Sequence, residues 1–252
     1  MKAIDNSQQT AARIAGVTGL LAVAIVVFGN YVLLSPLIVA RDAAETARNI
    51  MAHQTQVRVG LICFLLYSAK VVVLLAALYV ILRPVDRILA LTGALFRLVF
   101  ALLWLLATLN LLSSLRLLGT APYLEVFQPD HVQALARLQI AANFDDYYIG
   151  LPFFGLAATI CAYLWLKSGY IPKTLAGFGM ISSGWCVICA FVFLVFPNFN
   201  KVVNDYIFDT PMAIFELVVS LWLLFKRLQP ARTPTESDRV SKLHHHIFPI
   251  FL

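Results

Sequence analysis

The sequence predicts an all-α polytopic membrane protein, a six-transmembrane-helix bundle with its N- and C-termini cytoplasmic. Composition is the first reason. Of 252 residues, 61% are hydrophobic and 13% charged, and the mean hydropathy is +0.83. A soluble domain carries about 25% charged residues, so this chain has too little polar surface for water and most of it must face lipid. The second reason is run length: the apolar stretches reach the roughly 20 residues that carry a helix across hydrocarbon. They are too long, and alternate too little, to be barrel strands. The third is where the charge sits. The net charge is +6 and the pI about 9.3, yet the cations punctuate the ends of apolar runs and form no stripe interleaved with aromatics. That pattern sets membrane topology and argues against nucleic acid as a partner.

The spans fall near 14–35, 58–82, 88–113, 148–167, 174–196 and 206–227, leaving no room for a separate soluble domain in 1–228. The first follows Lys2 and Arg13 and is apolar from Ile14 to Leu34. Secretory h-regions run to roughly 15 residues, so this stretch is expected to be a retained span. Ser35-Pro36 closes it. Arg41, Asp42, Glu45 and Arg48 then stand among alanines, so residues 36–57 predict a short amphipathic or interfacial helix. Pro84 stops the second span, because it lacks an amide and clashes with the preceding turn, and Arg83 to Arg87 becomes a tight link. The longest connection, 114–147, contains Pro122 and Pro129. Val132, Leu135, Leu138 and Ile140 follow at helical spacing and predict a surface helix or an extension of the fourth span. Ser168 to Lys173 is a second tight turn, and Asn198 to Asp205 joins the last two spans. Residues 229–252 read as a basic, polar cytoplasmic tail without fixed structure; His244-His246 within it suggests metal capture or simply a surface tail.

Orientation follows from the cations. With the N-terminus inside, Lys2, Arg13, Arg83, Arg87, Lys167, Lys173, Lys226, Arg227, Arg232, Arg239 and Lys242 lie on the inner side. Arg41, Arg48, Arg58, Arg116, Arg137 and Lys201 lie outside. Eleven against six, with Lys70 and Arg97 the remaining two of 19, favours cytoplasmic termini. Cys63, Cys161, Cys186 and Cys189 all fall in apolar runs, away from any aqueous loop where oxidation would make a structural disulfide. Cys186-Val187-Ile188-Cys189 has the form of a redox pair or half a metal site. Inside a span and without a second pair, it reads as small packing residues, as do Ala15, Gly19, Gly177, Gly179 and Ser183. Tyr31, Trp104, Tyr163, Trp165, Tyr170 and Trp222 lie near span ends and are expected to be interfacial anchors.

Three ionisable residues interrupt the apolar spans: Lys70, Arg97 and Glu216. A charge at mid-bilayer costs about 2.5 to 3.5 kcal/mol on insertion scales, so these side chains are expected to turn inward and pair. Lys70 lies 13 residues before Arg83, Arg97 lies 10 after Arg87, and Glu216 lies 10 before Lys226. At 1.5 Å per residue all three fall roughly 15 to 20 Å from the inner end. One layer therefore holds two cations and one acid. It reads either as a ligand-binding layer for an anionic or proton-coupled step, or as a buried ion-pair network that fixes helix order. His131, Asn143, Asp145 and Asp146 form a second, outer-face polar group with Tyr147 and Tyr148. Their spacing matches no zinc signature, and neighbouring Asp145 and Asp146 cannot share a helical face. An outer helix cap with interfacial tyrosines is the simpler expectation. No metal site, cofactor or catalytic residue is indicated: Walker, GxSxG, CxxCH and HExxH motifs are absent.

Several motifs fall in a recognisable order. Arg13-Ile14-Ala15-Gly16 opens the first span, and Leu82-Arg83-Pro84-Val85-Asp86-Arg87 separates the second and third. Leu95-Phe96-Arg97-Leu98-Val99 lies in the third. Lys167 to Lys173 precedes the fifth, and Glu216-Leu217 with Leu221-Trp222-Leu223 lies in the last. Over about residues 12–228 the chain resembles a bacterial integral membrane family of unknown function, DUF 4386. The resemblance implies a compact multi-pass protein of the bacterial inner membrane and brings no activity with it. Three functions stay open. One is transport or sensing of a small anionic or lipophilic ligand through the buried polar layer. Another is a membrane enzyme acting on a lipid or quinone at the outer group. The third is an accessory protein that packs against membrane partners without a ligand.

The cation count makes a direct prediction. A reporter fused after Gln229 should be active on the inner side, and one inserted near Gln54 on the outer side. Activity of both on one side would break the six-span arrangement.

Overall fold

The computed structural model describes residues 4–39, 42–119, 126–196, 205–226 and 228, and every regular element among them is helical. Arg41, Pro122, Glu125, Lys201, Arg227 and the 229–252 segment with His244-His246 lie outside the described residues.

Helix α1 covers Asn6–Val26 and continues without a break through a π-helical stretch, Val27–Leu34, and a 3-10 turn, Ser35–Leu37. It begins earlier than its apolar run because Asp5 caps it, its carboxylate accepting the Gln8 amide at 2.7 Å. Helix α2 (Ala43–Ala52) is the expected short amphipathic element, capped by Asp42 on the Glu45 amide. Helix α3 (Gln54–Leu82) ends at the Pro84 turn, where Asp86 caps α4 (Arg87–Leu117). Helix α5 runs 40 residues from Pro129 to Ser168, so the 132–140 periodicity belongs to an extension of the fourth span. Gly169, at φ 67°, ends it in the left-handed conformation that only glycine adopts at little cost. Helix α6 is Lys173–Val195; α7 (Asp205–Phe208) and α8 (Thr210–Phe225) are separated at Asp209, with Pro211 in the first turn of α8.

Five continuous helical stretches, starting at Asn6, Gln54, Arg87, Pro129 and Lys173, are long and apolar enough to cross a membrane. The sixth, Thr210–Phe225, is apolar but only 16 residues long, about 24 Å at the helical rise. It falls short of the 206–227 expectation because the chain breaks at Asp209 and Pro211. The chain is a multi-pass helical membrane protein.

Each long helix packs on the next in sequence, α1 on α3, α3 on α4, α4 on α5 and α5 on α6, while α8 closes the circle against both α6 and α1. The outward faces are apolar, with Leu21, Ile62, Leu66, Leu102, Leu109, Ile181 and Ile188 among the exposed side chains, as lipid requires. The two ends differ in how they are tied. At the end where α1 begins, the Gln8 side-chain amide donates to the Ile81 carbonyl (3.1 Å), and Gln9 donates to the Leu228 carbonyl (3.0 Å). Lys167 reaches Asp86 at 3.4 Å. The Leu89 amide, aided by Lys167, holds the Asp86 carboxyl below the usual carboxylate range. A depressed carboxyl stabilises the fold above its unfolded pKa, and that contribution is lost as pH falls through the folded value. At the opposite end α2 and the start of α5 pack together, over the turn that ends α1.

Close approach of α8 to α1 depends on small residues. A Cβ on Gly16 would meet the Leu224 amide nitrogen and the Ser220 carbonyl at 2.8 Å, and one on Gly19 would sit 2.0 Å from Ser220 Oγ. Gly179 leaves room for the Phe215 ring on the other flank of α8. Gly177 does not belong to this set: nothing lies within 4 Å of its Cβ position. The four cysteines are buried and free, with Cys186 and Cys189 in the core between α5, α6 and the α7–α8 region.

Gly16→Val should therefore lower thermal stability in detergent by about 1 to 3 kcal/mol, since backbone atoms cannot yield to the added methyls. Gly177→Ala should be neutral or slightly stabilising. Equal losses at both positions would mean that α1 and α8 do not pack this way.

Candidate functional site

The interior is built in levels. Toward the end where α1 begins, Ala15, Leu74, Leu78, Ile81, Ala90, Cys161, Trp165, Phe215 and Leu223 form a first apolar cluster. Toward the opposite end, Val57, Phe64, Tyr67, Val71, Phe100, Trp104, Leu111 and Ile140 form a second. On α3 the change from one to the other falls between Val71 and Leu74, and on α4 between Ala90 and Phe100. Lys70 and Arg97 stand at that seam, and Glu216 joins it from α8, next to Phe215.

Arg97 Nη2 donates to Glu216 Oε1, closing an ion pair between residues 119 apart in sequence. The pair crosses the middle of the bundle. Helix α4 is flanked in the circle by α3 and α5, and α8 by α1 and α6. Arg97 is 4% exposed and Glu216 21%, so the carboxylate is the more approachable partner. The guanidinium lies over the Phe154 ring, 5.2 Å from its centroid, with the Cys161 thiol nearby. Arg97 Nε and Nη1 are buried and find no hydrogen-bond partner among the described residues. A guanidinium carries five N–H donors, and the lone Glu216 contact leaves most of them unused.

Lys70 occupies the same level but makes no ion pair within 4.0 Å among the described residues. Its ammonium sits 4.1 Å from the centroid of Tyr67, a cation–π contact one helical turn away on α3. It is still close enough to Glu216 and Arg97 for their charges to act on it. One acid thus faces two cations.

Above the seam rises an aromatic column. Tyr67 and Phe64 both pack on Trp104, at ring-centroid distances of 4.5 and 4.9 Å. Phe100 stacks on Phe154 at 4.6 Å. Trp104 meets Tyr147 edge-on, and Tyr147 leads to Tyr148 and Phe193. Trp104 is therefore a core residue and not an interfacial anchor, and the same correction applies to Trp165 and Tyr170, both buried in the first cluster. Their apolar bodies find more to cover inside the bundle than at its rim. Tyr31 and Tyr163 do lie on the exposed surface. Trp104 Nε1 is buried and finds no hydrogen-bond partner among the described residues.

The outer polar residues do not gather into one site. His131 lies exposed in the first turn of α5, 14 residues before Asp145, about 21 Å along the axis. Asp145 points to the exposed side and its neighbour Asp146 inward, a consequence of the 100° helical step. Nor do Asn143, Asp145 and Asp146 form a helix cap, since α5 runs through them unbroken. Asn143 donates to the Ala107 carbonyl (2.7 Å), and Asp146 accepts from Asn110 (2.6 Å), so both tie α5 to α4. One turn on, Tyr147 donates to Asp209 at the α7–α8 break (2.7 Å). Sequence reasoning missed Tyr67, Asn110, Phe154 and Asp209 as members of these networks. Tyr67 lies three before Lys70, and Trp104 seven after Arg97, spacings that place each pair on one helical face.

The fold and its interior define a polytopic helical membrane protein with a charged layer at the centre of the bundle. The chain belongs to the family described as Domain of unknown function (DUF4386), which it matches over residues 14–226. No curated protein and no solved structure matches it.

The ion pair generates its own test. Glu216→Gln should destabilise the detergent-solubilised protein by about 3 to 5 kcal/mol, because it strands a buried guanidinium. Replacing both residues, Arg97→Met with Glu216→Leu, should recover part of that loss. A double variant as damaged as the single one would show that the two side chains do not act as a pair.

Proposed function

We propose that this protein is a transporter or sensor of a small molecule, seated in the bacterial inner membrane with both termini in the cytoplasm, and that its ligand binds at the central charged layer. The observation that carries the reading is the Arg97 guanidinium, 96% buried by its 4% exposure, with Nε and Nη1 lacking any acceptor among the described residues. Leaving such donors bare costs about 1 to 3 kcal/mol each, more than a pair retained only for helix order needs to bear. A ligand bearing an acidic or carbonyl oxygen would satisfy them. The charge balance supports an anion: Lys70 and Arg97 outnumber Glu216, and a buried surplus cation is stabilised by a counter-charge. Glu216 and Lys70 are the more accessible members of the layer and mark the side from which a ligand would approach. The enzyme reading, which needed His131 beside Asp145, loses support from their separation along α5.

The test is ligand-induced thermal stabilisation of the purified protein in lipid nanodiscs. Hexanoate and cinnamate should raise the melting temperature by several degrees, while cinnamamide should not. Lys70→Gln, which leaves the Arg97–Glu216 pair in place, should weaken the effect about tenfold in concentration. If no acid stabilises the protein at millimolar levels, the layer is a structural ion pair and the protein an accessory one.

A further inference from the structure

We infer that Lys70 is a proton-binding site linked to the central layer, so that an acid entering the layer brings a proton, which Lys70 Nζ takes from water. This rests on the reading of the layer as an anion site and adds the hydrogen ion as its co-ligand.

The layer has more cations than partners. Glu216, its acid, is taken by Arg97. Lys70 has no carboxylate within 4.0 Å among the described residues, and its terminal nitrogen rests on the Tyr67 ring face, 4.1 Å from the centroid. Nor is Lys70 sealed in. Among the described residues, the fully buried side-chain atoms without a partner are Arg97 Nε and Nη1, Trp104 Nε1 and Ser183 Oγ. Lys70 Nζ makes no hydrogen bond among those residues and is not one of these sealed atoms. Glu216 likewise keeps 21% of its side chain exposed. The open part of the layer is therefore at Lys70 and Glu216. The charged and titratable groups that face Lys70 are Tyr67 on its own helix, Arg97 on α4 and Glu216 on α8. Cys161 of α5 stands beside Arg97. Helix α1, also packed on α3, has no titratable side chain between Arg13 and Tyr31.

With Lys70 uncharged, Arg97 and Glu216 cancel and the layer is neutral. With Lys70 charged, the layer holds a surplus positive charge where an unmatched charge is costly, and a tyrosine face offsets only part of that cost. A bound carboxylate reverses the balance. It adds a negative charge that the Arg97–Glu216 pair cannot cancel and an ammonium on Lys70 can. Acid and proton therefore each favour the other's binding, by the same factor in both directions. Arg97 cannot serve in place of Lys70, because a guanidinium keeps its charge at every working pH. The acid enters as its carboxylate, a hydrogen ion from water joins Lys70 Nζ, and no covalent bond to the acid forms. The loaded layer is then as neutral as the empty one. A carrier of this kind moves acid and proton together, and because the pair has no net charge it answers to a pH gradient and not to membrane voltage.

The experiment is calorimetry of cinnamate and hexanoate binding to the full chain in nanodiscs, in Tris and in HEPES, buffers that differ in heat of ionisation. At about pH 8 the difference between the two buffers should report about one proton taken up per acid bound, and the affinity should fall about tenfold per unit as pH rises further. Lys70→Arg fixes the positive charge, so it should bind the acids with no proton uptake and no such pH slope. Lys70→Gln should bind them more weakly, again without uptake. The measurement on the unaltered protein reads the claim even where a variant fails to fold. Acid binding without proton uptake in the unaltered protein would overturn the inference. So would uptake that survives both substitutions, which would put the proton on Glu216 or on the acid itself. Both results leave the wider reading standing, because acids still bind. No binding of either acid would overturn both.

Discussion

A guanidinium and a carboxylate must be held together inside a bundle whose outer solvent is hydrocarbon, and much of the architecture answers to that constraint. Charge exposed to lipid is costly, and lipid supplies no partner, so each charged group must find one across the interior. Arg97 lies on α4 and Glu216 on α8, helices that are not adjacent in the circle. Their pair therefore closes only if the six helices stand in one arrangement. The energy at stake is asymmetric. A completed pair of this kind contributes little beyond an apolar contact, whereas breaking it strands a charge. The pair thus specifies helix order more than it stabilises the fold.

The rest of the packing delivers the two partners to that meeting. Helix α8 is short and begins at a break, so its position is set by what it touches. Gly16 and Gly19 let it settle against α1, and Gly179 admits Phe215 on the opposite flank. The residues flanking Glu216 are thereby fixed from both sides. Association in lipid depends on such close van der Waals contact, because apolar surface gains little by leaving hydrocarbon. Thr18, Thr108, Ser182 and Ser220 fold their hydroxyls back onto carbonyls of the preceding turn, which satisfies them without drawing on the layer. Among the described residues, Arg97 Nε and Nη1, Trp104 Nε1 and Ser183 Oγ are the buried side-chain atoms left without a hydrogen-bond partner.

Much of the fold was legible because depth is encoded one residue at a time. Run length gave the spans, and counting from the flanking charges put Lys70, Arg97 and Glu216 at one level. Rotation about each axis and the order of helices around the circle are tertiary facts, and no run length reports them. Hence the sequence could not say which cation Glu216 would take, or that Lys70 would rest on Tyr67. The aromatic residues misled for a related reason. Trp and Tyr suit both a headgroup boundary and a packed interior, and only the neighbours of Trp104, Trp165 and Tyr170 decide between them. At Asp145-Asp146 local charge suggested a cap, whereas α5 persists because Asn110 satisfies Asp146 from the side.

Both ends of the bundle are closed by a mixture of side-chain bonds onto backbone carbonyls and contacts to a carboxylate. At the end where α1 begins, Gln8 and Gln9 bind backbone carbonyls, and Gln9 also accepts from the Leu228 amide. Such contacts fasten helix termini to one another and resist independent movement of a single helix. At the opposite end the closure between α5 and its neighbours includes the Asn143 bond to the Ala107 carbonyl and two side-chain pairs, Asn110 with Asp146 and Tyr147 with Asp209. Both acceptors are carboxylates, and Asp209 sits at the joint between α7 and α8, its carbonyl accepting the Met212 and Ala213 amides of α8. Pro152, one turn beyond Tyr148 in α5, removes an amide from the ladder at the same level. Both ends therefore hold α5 and α8 to their neighbours through named polar contacts, and the central pair is bracketed by them.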